Sequence, residues 1–169
     1  NDETRKVYPF EFCVQLVFSI ENGRLNIRQI YENTGSVDMP YAFGFHPYFA
    51  VKPTEVSVKV DAELEIDMKT GKPVPYDGHP VRIEFPEGAP ESGGFFMQAK
   101  NEALLVVNNK ELHMEFDENF NRLVLWTVKG KEFLCVEPIN SSPNGLVTGD
   151  CYRLAPGEKK EAVVSFYII

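Results

Sequence analysis

The chain has 169 residues, a length that suits one domain, and its 43% hydrophobic and 25% charged content matches soluble globular proteins. Seventeen Lys and Arg against 25 Asp and Glu leave a net charge of −8 with no basic run, which argues against nucleic acid or an anionic membrane surface as partner. No apolar stretch approaches the roughly 18 residues that a membrane span needs.

The chain opens at Asn1 on the polar run "NDETRK", which reads as a processed or truncated edge. "FCVQLVFSI" follows, a continuous apolar run that predicts a strand covered on both faces. Asn22-Gly23 then predicts a hairpin into "RLNIRQIYE". "MPYAFGFHPYF", Met39 to Phe49, is too rich in rings, glycine and proline for an ordinary strand or helix. Strict alternation returns at Val56, Val58 and Val60, the pattern of a half-buried strand. From Met68 to Gly94 five prolines and five glycines predict a long loop around one strand, Val81 to Phe85. "ALLVV" reads as a buried strand, joined through a turn at Asn108 to Lys110 to "ELHMEF". "RLVLWT", a turn at Gly130, "EFLCVE" and the closing "EAVVSFYII" complete about ten strands, and no amphipathic helix stands out. The expectation is an all-β sandwich or a large twisted sheet pair.

Few residues in this pattern carry chemistry. No HExxH, GxSxG, Walker-type or dinucleotide-binding pattern is present, and no His/Cys cluster has a metal-ligand spacing. The three cysteines are unpaired by any motif; Cys13 and Cys135 sit in apolar runs and read as small buried hydrophobes, Cys151 as a third thiol, all in a reducing, cytoplasmic compartment. His79 reads as a solvated turn residue, and His113 as a wet residue opposite Leu112 and Met114. His46 differs, because Pro47 pushes its backbone towards an extended conformation and Phe45 and Tyr48 flank it. Those rings suit a wall for an apolar or sugar-ring ligand; a packed histidine at a strand corner fits the same residues. Glu137 continues the face of Phe133 and Cys135, where an unpaired carboxylate is costly. Burial there would raise its pKa as a general base requires, while a salt-bridged glutamate at a sheet rim is the alternative. Pro138 is expected to end that strand.

The ordered set "GFHPYF", "LVLWTVKGKEFLCVEP" and "YRLAPGEKKEAVVSFYI" resembles the aldose 1-epimerase (galactose mutarotase-like) family, over nearly the whole chain from Tyr8 onwards. The resemblance implies one β-supersandwich domain over residues 1–169 that interconverts α and β anomers of an aldohexose by acid–base ring opening. By likeness His46 protonates the ring oxygen, Glu137 takes the proton of the anomeric hydroxyl, Tyr48 lines the sugar and Trp126 offers a stacking face. Neither metal nor cofactor is implied, and the partner is a small-molecule sugar. The chain is expected to be the C-terminal part of such a protein, without the N-terminal strands that bring an arginine and a second histidine to the pocket. Where relatives place a sugar-binding aspartate this chain has "PESGGFFMQ", with Glu91 as the nearest carboxylate. A non-catalytic carbohydrate-binding domain of the same fold is the alternative, and an exposed edge strand would favour a homodimer or a partner chain.

Overall fold

The computed structural model describes residues 2–107 and 110–169. Seven antiparallel strands form one sheet in the order β1 (Phe12–Glu21), β2 (Arg24–Asn33), β15 (Lys159–Ile168), β11 (Lys110–Phe116), β10 (Glu102–Val107), β5 (Val56–Val60) and β8 (Val81–Arg82). Six more form a second sheet: β4 (Tyr48–Phe49), β13 (Leu134–Ile139), β12 (Arg122–Val128), β9 (Glu91–Met97), β6 (Leu64–Asp67) and β7 (Lys72–Pro75). A small ribbon pairs β3 (Met39–Tyr41) with β14 (Tyr152–Leu154). The all-β expectation is met, with two short helices, α1 (Asp2–Val7) and α2 (Gly145–Thr148), that are too brief to show a helical period in the sequence.

The core lies between the sheets, and the period of two explains its composition. Val56, Val58, Leu105, Met114 and Val164 face inward from one sheet, and Phe96, Leu123, Leu125, Leu134 and Val136 from the other, all nearly inaccessible. Burying each such side chain contributes roughly 1.5–3 kcal/mol. The hairpin expected at Asn22-Gly23 forms as read: both residues have positive φ, 51° and 75°, and Glu21 pairs with Arg24 across them. No helix among the described residues is long and apolar enough to cross a membrane.

Four expectations need correction. There are fifteen strands among the described residues, not ten, in part because β3, β4 and β14 hold two or three residues each and show no alternation. In the proline-rich stretch β8 spans only Val81–Arg82, and Lys72–Pro75 forms an extra strand, β7. Pro73 and Pro75 are tolerated there because β7 is the edge of its sheet. His113 is not wet: its side chain is 12% exposed, stacked on Tyr167 with Nδ1 2.5 Å from Glu102. Finally, β1 is covered on neither face, with Leu16 52%, Phe18 60% and Ile20 78% exposed. Leu16 pairs with Gln29 and Phe18 with Ile27, so they continue the core-facing side of their sheet past the edge of the opposing one. Cys13, on that strand, is accordingly only partly buried, whereas Cys135 is inaccessible. His79 is exposed beside Asp77, as a turn residue should be. The turn expected at Asn108 to Lys110 involves residues 108 and 109, which lie outside the described residues.

Candidate active site

The ladder between the His46 segment and β13 brings the two candidate residues together. Tyr48 pairs with Cys135 in β4, and Gly44 makes a bridge to Ile139 two pleats earlier. Both pairs belong to one antiparallel register, which puts His46 opposite Glu137. Pro47 lacks an N–H and interrupts the ladder between them, which is why the strand reads as two short pieces. The Phe45 N–H donates to the Pro138 carbonyl at 3.0 Å, and the Phe43 N–H to Asn140 Oδ1 at 2.9 Å. Pro138 does not end β13; the strand continues to Ile139 because the partner segment still reaches its carbonyl. Gly44 permits this approach, since a Cβ there would meet Ile139 Cγ2 at 2.6 Å.

Side-chain alternation then sorts β13. Leu134 and Val136 enter the core, while Cys135 and Glu137 face the other side of the sheet. His46 Nε2 lies 3.2 Å from Glu137 Oε1, with the imidazole 49% exposed and the carboxylate 12%. Burial raises the Glu137 pKa above its ordinary value, and the facing His46 offsets part of that rise. The pair is therefore a solvent-facing ring against a recessed carboxylate that holds a proton more tightly than an ordinary glutamate.

Rings surround it. His46 stacks on Tyr48 at 5.0 Å between centroids, and Trp126 meets His46 edge-on at 6.0 Å. Phe133 closes the cluster against both Tyr48 and Trp126. Tyr48 and Trp126 are the two neighbours of Cys135 across the ladders, and the thiol beneath them is inaccessible. Burial first, then the Glu137 charge, push that thiol up to about 12. Trp126 Nε1 donates to Glu91 at 3.2 Å, beside a cavity of about 260 Å³ floored by Gly93, Gly94 and Val124. Glu91 thus lies on the same face as His46 and Glu137, next to the tryptophan.

Two features escaped the sequence reading. Arg122 holds Asp150 with two contacts of 3.1 and 3.0 Å and donates to the Asn140 carbonyl at 2.7 Å. Asp150 also accepts the Ser142 N–H, which, with Arg122, keeps its carboxyl below the usual range. This clamp fixes the loop that follows Glu137. Its signal in the sequence is the even-numbered face of "RLVLWT", where Arg122 shares a side with Val124 and Trp126. The second feature is Cys135, which with His46 and Glu137 offers three donor atoms within 4.8 Å of one another.

The family model described as aldose 1-epimerase matches residues 1–167. The chain belongs to the aldose 1-epimerase family. A solved protein of Synechocystis sp. PCC 6803 is 31% identical, with a TM-score of 0.84, covering 99% of this chain and 58% of its own. A galactose mutarotase-like protein from Lactobacillus casei ATCC 334 shares 20% identity and a TM-score of 0.78 over all of this chain and 67% of its own. A galactose mutarotase-like protein from Clostridium acetobutylicum shares 18% and 0.77, over 99% of this chain and 59% of its own. The latter two show the fold, which is galactose mutarotase-like. This aldose 1-epimerase family member thus spans a little over half the length of the Synechocystis protein. No curated protein matches it.

Proposed function

We propose that the chain interconverts the α and β anomers of an aldohexose, with Glu137 and His46 as the acid–base pair. The observation that carries this is their 3.2 Å separation on a solvent-facing, ring-lined sheet surface. The two oxygens that exchange protons in the reaction, the ring oxygen and the anomeric hydroxyl, hang on one carbon, so two groups this close suffice to reach both. Glu137 removes the hydroxyl proton, and the freed pair forms the carbonyl as the bond from the anomeric carbon to the ring oxygen breaks. His46 gives its proton to that oxygen, leaving the open-chain aldehyde. Rotation about the neighbouring carbon–carbon bond presents the other carbonyl face, and closure runs the two transfers backwards with the roles exchanged. Tyr48 and Trp126 supply the walls that orient the sugar, in the manner of mostly apolar sites with few polar contacts. Membership of the family and the likeness to mutarotase-like folds support this reading.

A second reading, sugar binding without catalysis, is favoured by one observation: the chain spans 58% of its Synechocystis relative, so the rest of that relative's chain has no counterpart in the match. Polarimetry separates the two. With freshly dissolved α-glucose or α-galactose the intact chain is expected to speed the approach to equilibrium, and Glu137→Gln to cut that effect by about 10²–10⁴-fold. Sugar-induced chemical shifts without any acceleration would establish the binding reading instead.

A further inference from the structure

We infer that His46, Cys135 and Glu137 form a binding site for a thiophilic divalent cation of the zinc type, and that the ion shuts down the exchange proposed above. The inhibition rests on that proposal; the binding does not.

The donor set carries the inference. One nitrogen, one sulfur and one carboxylate oxygen lie within 4.8 Å of one another, and the nitrogen and oxygen are already at 3.2 Å. Zinc bonds of about 2.0–2.3 Å place the donors of a tetrahedral site roughly 3.5 Å apart, so donor atoms already within 4.8 Å of one another need only small side-chain adjustments to close the set. Mixed nitrogen and thiolate ligation selects zinc or a similar ion over magnesium and calcium, which take oxygen. The exposed side of His46 leaves a fourth position open to water, the arrangement of three protein ligands plus solvent.

Charge favours the same occupant. On binding, the Cys135 thiol passes its proton to solvent, so thiolate, carboxylate, neutral imidazole and a doubly charged cation sum to zero. The rings of Tyr48, Trp126 and Phe133 pack against one another beside that neutral centre. No motif announced the site, because Cys135 and Glu137 alternate along one strand and His46 arrives across the ladder from ninety residues earlier. An ion held here occupies both proton-transfer groups, so sugar turnover and metal occupancy exclude each other.

Cobalt(II), a visible stand-in for zinc, tests the site on the full chain. Titration should produce a near-ultraviolet thiolate-to-cobalt band that zinc abolishes and that is lost in Cys135→Ala. Glu137→Gln keeps the thiol and the side-chain volume, and should bind cobalt more weakly. No band in the intact chain would overturn the inference, as would a band that persists in Cys135→Ala, since Cys13 or Cys151 would then be the ligand. If Cys135→Ala does not fold, unchanged cobalt affinity in Glu137→Gln refutes the site just as directly. Exchange rates in a chelator-treated sample report separately on the acid–base pair, so failure of one reading is distinguishable from failure of the other.

Discussion

In the proposed reaction Glu137 concentrates the cost and the use of the site in one side chain. A base must be ionised, and burial holds this carboxyl above the ordinary glutamate value, so the acid limb of the pH–rate profile should lie above pH 4.5. A limb at or below that value would contradict the role. The same shift has a stability consequence. A carboxyl whose folded pKa is raised favours the folded state in its protonated form; that advantage is complete below the unfolded pKa and disappears as pH rises through the folded one. At pH 7 the buried charge is therefore a liability, and Glu137→Gln should raise the melting temperature there while leaving it unchanged near pH 3. Calorimetry at the two pH values checks this, and a lower melting temperature at pH 7 would mean that the His46 contact outweighs burial. Loss of function with gain of stability is the expected signature of a functional residue.

At the scale of elements, the close passage of the Gly44 segment beside β13 sets the geometry. Gly44→Ala forces a methyl into Ile139 and against the Pro138 carbonyl, so it should cost about 1–3 kcal/mol, the range for overpacking, and displace His46. Denaturant unfolding and the exchange rate should fall together; a variant with wild-type stability would show that the segment yields freely. This passage also explains what the sequence made legible. Val56–Val60 and Arg122–Val128 could be read because one buried face imposes a strict period of two on them. The two residues of β4 carry no period, yet they and the Gly44 bridge fix the register that joins His46 to Glu137. The residues of the pair stood out individually, His46 by its neighbours and Glu137 by its face, but their contact is a property of the ladder. Cys135 looked like a core filler because alternation tells which face a residue takes and not what lies on that face.

Over the whole molecule, β1 is the feature least like a finished surface. Composition marked it as a buried strand, and nothing local distinguishes a face that is covered from one that is not. Its Val14, Leu16, Phe18 and Ile20 form an exposed apolar row on a ten-residue sheet edge. Long apolar edges template pairing with other chains, so the chain should associate as its concentration rises despite a net charge of −8. Sedimentation velocity should show that Leu16→Lys with Phe18→Lys suppresses association; an unchanged distribution would place the contact elsewhere.

The measurement closest to the central claim is exchange NMR at anomeric equilibrium, with glucose and galactose, for the intact chain beside Glu137→Gln. Cross-peaks between α and β anomers that grow with the intact chain and vanish in the variant are the predicted result. Equal exchange in both, with the variant folded, would show that the pair at His46 and Glu137 is not the seat of the chemistry.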